Sequence, residues 1–347
     1  MKFNIKVEKH HMLKKKIEKM GGYNLKKITL FSSFMLAAFL VGCNSDDKGD
    51  TTENSEEGLD TSIVTIGTGG ASGPYNILGT TLADTYSSEF DVNSRTQTTG
   101  ASVENINLLA QGKIEMAFVM SDALSQALAG EVSFDTPIEN ISQVATLYPN
   151  VVQIITKEGS GIATVEDLKG KRVAVGDQNS GVEVNARQLL EGHGITYDDL
   201  QVDYLGYAEA ASGLAAGTID AAFLTSGLPN ASVLELTETL GIELVSVDPG
   251  KIEEIAKQHP YFISYEIPSG TYGNEEPIMT AAVPNALVVR SDMSEQDVYQ
   301  LTKALFDNMD KLENSHQAAK EITLQGAQES IIAPLHPGAK KYYDEQK

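Results

Sequence analysis

The sequence is poor in cysteine, arginine and positive charge, and it contains no tryptophan. A single Cys among 347 residues excludes a disulfide framework and every multi-cysteine zinc or iron–sulfur site. Lys and Arg number 26 against 48 Asp and Glu, a net charge of -22, so no basic face exists for a polyanion and nucleic-acid partners are excluded. No apolar run reaches the roughly 18 residues that cross a bilayer. The common catalytic patterns are missing too: H-E-x-x-H, the G-x-S-x-G elbow and the G-K-[ST] phosphate loop do not occur. What is present, 41% hydrophobic and 21% charged residues, is the composition of a globular chain long enough for two domains.

The N-terminal part reads as an address. Residues 28–42 form an apolar run preceded by Lys26 and Lys27, which has the length of a signal-peptide core and is short for a membrane span. It ends in Leu40-Val41-Gly42-Cys43. This resembles the bacterial lipobox, in which the Cys is lipidated and becomes the first residue of the mature chain. A polar tether, residues 43–61, follows, as an anchored protein requires. Removal of residues 1–42 takes away nine Lys and two Glu, leaving 17 basic against 46 acidic side chains and a mature charge of -29. The Lys-rich stretch 1–24 does not belong to a signal peptide, and we expect translation to begin at Leu25, with Gly21-Gly22 marking a ribosome-binding sequence.

From Ser62 the chain alternates between strand-like apolar runs and amphipathic stretches. Strands are expected over 63–66, 92–97 and 115–119, with helices over 75–88, 101–111 and 122–129. The apolar runs 144–147 and 151–156, flanking Tyr148-Pro149-Asn150, read as a crossover. Alternation then restarts, with strands over 172–176, 202–205 and 221–224 and helices over 181–193, 209–216 and 231–240. Repeated strand–helix units imply an α/β fold of parallel sheets flanked by helices. Residues 283–290 offer a second crossover, and a helix over 295–312 returns to the first half. The expected organisation is therefore a first lobe from 62–148 and 290–347 and a second from 149–289. Crossover segments fall near 148–157 and 280–290, and a ligand cleft lies between the lobes, as in a hinged binding protein.

Gly67-Thr68-Gly69-Gly70-Ala71-Ser72-Gly73 lies between a strand and a helix, where backbone N–H groups point at an anion. Its third Gly falls one place late for a dinucleotide fingerprint. Anion or carboxylate capture is preferred over a purely structural turn. Asn179-Ser180-Gly181-Val182 occupies the equivalent place in the second lobe, and two helix N-termini facing one another would hold a small anion without a salt bridge. The four Arg, at 95, 172, 187 and 290, fall outside such turns. His193 reads as a helix-end residue, and no metal or cofactor is expected.

Four segments together resemble the TAXI family of solute receptors from TRAP transporters: Thr65-Ile66-Gly67-Thr68-Gly69-Gly70-Ala71-Ser72-Gly73-Pro74-Tyr75, Thr99-Gly100-Ala101-Ser102-Val103-Glu104-Asn105, Gly217-Thr218-Ile219-Asp220-Ala221-Ala222-Phe223 and Pro334-Leu335-His336-Pro337-Gly338-Ala339. The resemblance runs from about Ser62 to the C-terminus. It implies a two-lobed, type II periplasmic-binding-protein fold and a receptor that delivers a small carboxylate or amino acid to an ion-gradient-driven permease. Glutamate, glutamine and 2-oxoglutarate are the ligands it suggests. Matched to the family's ligand loops are Gly69, Gly70, Ser72 and Tyr75, then Ser102 and Asn105, then Ser121, then Asn179, Ser180, Gly181 and Val182, and more weakly Ser226. Met120 stands where many members carry Gln, and Val182 where they carry Thr, so two polar contacts are absent. His336-Pro337-Gly338 reads as a C-terminal turn.

The expected protein is thus a non-enzymatic receptor outside the cytoplasm, lipid-anchored through Cys43, with a permease as partner. The alternatives are a receptor for an ATP-driven importer, a signalling lipoprotein serving a sensor kinase, and an enzyme using the cleft. The missing acid–base and nucleophile sets disfavour the last.

Overall fold

A computed structural model describes residues 58–347; Cys43, the apolar run and most of the tether lie outside the described residues. The first unit comprises β1 (Ile63–Gly67), α1 (Pro74–Phe90), β2 (Asn93–Gln97), α2 (Ser102–Ala110), β3 (Met116–Met120) and α3 (Ser121–Ala129). A long strand, β4 (Ile141–Lys157), leads to the second: β5 (Arg172–Ala174), α4 (Gly181–Gly192), β6 (Gln201–Asp203), α5 (Tyr207–Ala216), β7 (Ala221–Ser226) and α6 (Ala231–Thr239). β8 (Ile242–Val245), α7 (Pro249–Ala256) and β9 (Ile263–Ile267) follow. The chain returns through β10 (Ile278–Arg290) to α8 (Glu295–Asp307), α9 (Met309–Ser315) and α10 (Pro337–Glu345).

The strands hydrogen-bond in the order β2-β1-β3-β10-β4-β7-β5-β6, with β8 also on β4 and β9 on β10. The strand–helix repeats give the parallel pairs β1–β2, β1–β3, β5–β6 and β5–β7. The two crossing strands add antiparallel ladders, β10 to β3, β10 to β4 and β4 to β7. One carries the chain out of the first lobe and the other brings it back, so they run in opposite senses. The two apolar runs around Tyr148-Pro149-Asn150 are one continuous strand of 17 residues. At its middle Pro149 pairs with Pro284, and the register of β10 shifts just beyond. Neither proline offers an N–H to the ladder, so the strands are most weakly joined where the lobes meet.

Each lobe has apolar clusters on both faces of its sheet. In the first, α1 buries Leu78, Leu82 and Tyr86 against Met116 and Phe118, and Leu301 and Leu305 of α8 complete that core. Tyr86 Oη donates to Leu301 O at 3.2 Å, fixing the returning helix. Burying each such side chain stabilises by about 1.5–3 kcal/mol. The second lobe packs Leu189 and Leu190 of α4 and Ile252 and Ile255 of α7 over Val173 and Phe223.

Two expectations change in detail. The helix expected over 295–312 breaks at Asn308, whose Nδ2 donates to Ala304 O at 2.8 Å and Glu89 Oε1 at 2.9 Å. A side chain that competes with the backbone ends α8 there. His336-Pro337-Gly338 is a helix start, not a terminal turn: His336 Nδ1 accepts from Gly338 N–H at 3.2 Å and Pro337 opens α10. Gly338 lies against the backbone of α8 at Glu295, where a Cβ would not fit.

Candidate functional site

A cleft between the lobes encloses about 490 Å³ of free space, its mouth included. Four helix N-termini reach it. From the first lobe come Gly73 and Pro74 at the start of α1, and Gly100 and Ala101 ahead of α2; from the second come Ser180 and Val182 of α4, and Gly206 and Tyr207 of α5. The N-caps of α1, α2 and α5 carry no side-chain cap; of the amides there, Asn76 N–H donates to Gly73 O, Glu104 N–H to Asn179 O and Gly100 N–H to Glu104 Oε2, and the rest of the first turns are left for a ligand. Ser180 caps α4, its Oγ accepting from Glu183 N–H at 3.0 Å. Each terminus carries a partial positive charge. Together they make an anion site of backbone alone, and among the described residues no Lys or Arg lines it. Arg172 pairs with Asp220, Arg187 with Glu183, and Arg290 with Glu115 and Asp292.

The lobes touch around the cleft. Glu104 N–H donates to Asn179 O across it at 3.3 Å. Asn179 holds φ at +64°, a left-handed conformation that Asn tolerates better than most residues and that turns this carbonyl toward the first lobe. Asn185 of α4 donates from Nδ2 to Met120 Sδ at 3.1 Å.

The hinge side is polar. Tyr75 Oη donates to Asn285 Oδ1 and accepts from Asn150 Nδ2 at 3.2 Å, while Asn285 Nδ2 donates to Tyr148 O at 2.9 Å. One helix of the first lobe is thereby bonded to both crossing strands. The Tyr75 ring stacks on Phe118, centroids 5.2 Å apart, and burial raises its hydroxyl well above the usual range, which keeps it a neutral donor.

Of the residues singled out from sequence, Gly69, Gly70, Tyr75, Ser180, Val182 and Ser226 line the cleft. Others sit beside it and serve the fold. Ser102 Oγ accepts from Met120 N–H at 3.0 Å. Asn105 is spent internally: Nδ2 donates to Thr68 O at 2.7 Å and Phe118 O at 2.9 Å, and Oδ1 accepts from Thr99 Oγ1 at 2.7 Å. Ser121 opens α3, fully buried with no partner for Oγ. Gly181 packs against Ser102, Asn179 makes the contact across the cleft, and Ser72 lies in the turn without lining the cavity. Ser226 Oγ already accepts from Gln153 and Asn230 at 3.1 Å each.

Sequence reasoning missed Asn150, Asp177, Gly206, Tyr207 and Thr225, all lining residues. The α5 terminus was detectable: starting that helix at Tyr207 instead of Glu209 places a Gly N-cap after a strand, the pattern already noted at Gly73. Asn150 carries no local signal, because its role comes from the crossing of two strands distant in sequence. Asp177 is the one charged lining side chain. Burial, then Glu209 and Glu104, raise its carboxyl above the usual range. Just outside the lining, Asp122 is buried completely; Oδ1 accepts from Ala123 N–H at 2.7 Å, Oδ2 has no partner, and burial pushes the carboxyl up to about 7. No group of three His, Cys, Asp or Glu suited to a metal occurs among the described residues.

Two α/β lobes, two crossing strands and a cleft ringed by helix N-termini define the fold class of the two-lobed periplasmic binding proteins. Residues 66–346 match the NMT1-like family, and the chain belongs to that family. Among solved structures, a protein of Bordetella bronchiseptica RB50 is 13% identical over 83% of this chain and 99% of its own, with a TM-score of 0.56. PhnD1 of Prochlorococcus marinus, solved with methylphosphonate, is 13% identical over 82% and 96%, with a TM-score of 0.49. The periplasmic aliphatic sulphonate binding protein SsuA of Escherichia coli is 15% identical over 83% and 84%, with a TM-score of 0.43. The first of these carries the likeness of fold. Among the described residues no helix is long and apolar enough to cross a membrane.

Proposed function

We propose that this protein is the extracytoplasmic solute receptor of a TRAP-type secondary transporter, tethered by lipid on Cys43, and that its lobes close on a small carboxylate such as glutamate, glutamine or 2-oxoglutarate. The observation that carries this reading is the convergence of four helix N-termini on one cleft with no cationic side chain among its lining residues. Such a site suits one small acid group, held by oriented dipoles. The four sequence segments shared with the TAXI family support the choice of transporter.

The chemistry is binding without bond making. A solute that contacts Gly69, Gly70 and Tyr75 in one lobe and Ser180 and Val182 in the other stabilises only the closed arrangement, so occupancy shifts the population toward it. The permease then distinguishes loaded from empty receptor by shape. Thermal melting against a panel of carboxylates tests this, since ligand at about 100 times its Kd adds roughly 2.7 kcal/mol to stability. Stabilisation by a carboxylate supports the reading, and a cooperative melt that no carboxylate shifts would overturn it. Co-purification with TRAP membrane subunits, as opposed to those of an ATP-driven importer, tests the partner.

A further inference from the structure

The side chains of the cleft divide unequally between donors and acceptors. Tyr75 Oη is committed to Asn285, and Asn150 Nδ2 to Tyr75 Oη. Tyr207 Oη donates to Thr225 O at 2.6 Å, Thr225 Oγ1 to Asn185 Oδ1 at 2.8 Å, and Ser226 Oγ to Gly227 O at 3.2 Å. Most side-chain donors facing the cleft are therefore spent within the protein, the Ser180 hydroxyl proton being the exception. The acceptors are not. Asn150 is 2% exposed, lines the cleft, and its Oδ1 has no hydrogen-bond partner. The hydrogen bonds of Tyr75 fix this assignment, since its one proton goes to Asn285 and it must receive from the amide N of Asn150. A buried carbonyl left without a donor is destabilising until a ligand supplies one. Asp177 lines the same cleft, with Glu209 beside it at Gly206 and Glu104 across the opening at Gly100.

A solute with two carboxylates would satisfy the backbone amides and then set its second negative group among acceptors. A solute with one acid group and a protonated amine satisfies both halves of the site.

We infer, building on the receptor reading above, that the cleft selects a zwitterion of zero net charge, its acid group on the helix N-termini and its amine hydrogens on Asp177 and Asn150 Oδ1. Asp177 is then the specificity-determining residue, because it is the one charged side chain of the lining. Burial first, and then the negative charges of Glu209 and Glu104, raise the affinity of its carboxyl for a proton; an ammonium group set against Asp177 would answer both.

The test is calorimetry and thermal melting of the detergent-purified full chain with L-glutamine, L-leucine, glycine, L-glutamate, glutarate and 2-oxoglutarate. We expect a net-neutral amino acid to bind best, and L-glutamate to bind at least about tenfold tighter than glutarate. Asp177→Asn should shrink the preference for the aminated member by a similar factor while leaving the melting temperature without ligand nearly unchanged. Glutarate or 2-oxoglutarate binding as tightly as L-glutamate in the unaltered protein would overturn the inference, whether or not the variant folds. A preference that survives Asp177→Asn in a folded variant would also overturn it. Silence across all six probes would overturn the receptor reading itself, and is distinguishable from a preference for dicarboxylates.

Discussion

Gly181, at the head of α4, faces Ser102, at the head of α2, so closely that a Cβ on the glycine would lie 2.6 Å from Ser102 Oγ and 3.1 Å from Met120 Sδ. The two residues belong to different lobes, so this contact exists only when the lobes are together. Gly181→Ala should hold them apart, weakening ligand binding roughly tenfold or more with little change in the melting temperature of the free protein. Calorimetry and small-angle scattering check this. Unchanged affinity would mean that closure does not bring these helix heads into contact.

Tyr75→Phe tests the hinge network from the other side. It removes the donor to Asn285 Oδ1 and the acceptor of Asn150 Nδ2, leaving two buried amides short of a partner. Denaturant unfolding should show a loss of about 1–3 kcal/mol. Affinity should fall as well, because Asn150 is no longer oriented. A stability change below measurement error would place the amides in an alternative set of bonds.

Asp122 sets a pH dependence whose sign follows from its environment. Burial raises this carboxyl from 3.8 to about 7, so the folded state holds a proton that the unfolded chain releases. The stability it contributes is complete below about pH 4 and is lost as pH rises through about 7, a change of up to about 4 kcal/mol. Burial lowers His259, His316 and His336, which act in the opposite sense, favouring the fold above about pH 6.5. Subtracting the stability profile of Asp122→Asn removes the histidine contribution. The difference should fall with pH between about 4 and 8, and a flat difference would show that Asp122 stays ionised in the folded protein.

Ionic strength gives a fourth prediction. With a net charge of -22 and a site built of dipoles, added salt screens long-range repulsion of the acid group and leaves the enclosed contacts nearly untouched. Affinity should stay constant or improve between about 0.05 and 0.5 M salt. A steep loss would indicate that exposed charge, not the cleft, holds the solute.

The strand–helix alternation was legible because each unit is local: a short apolar run such as Ile63–Gly67 followed by the amphipathic Pro74–Phe90 needs no distant partner to be recognised. The glycine turn at 67–73 and the Ser180 cap were legible for the same reason. The antiparallel ladders were not, since the pairing of Pro149 with Pro284 joins positions 135 residues apart along a sequence that marks neither as a strand centre. β9 was missed although Ile263, Tyr265 and Ile267 alternate with polar residues; the segment is short, and Ile267 is its one buried residue. The least legible site residues are Asn150 and Asp177, whose meaning depends on which of their neighbours' protons are already committed.

The core of the first lobe joins residues 64–148 to residues 287–343, while the apolar clusters of the second draw almost wholly on residues 151–283. A chain that emerges from its N-terminus can therefore assemble the β5–β7 region early but must wait for its last segment before the first lobe closes. Until α8 and α10 arrive, Leu82, Tyr86 and Phe118 have no cover on one side. Shortening the C-terminus by the length of α10 should consequently expose the earlier-made half of the protein to proteolysis, although the missing residues lie at the opposite end of the sequence.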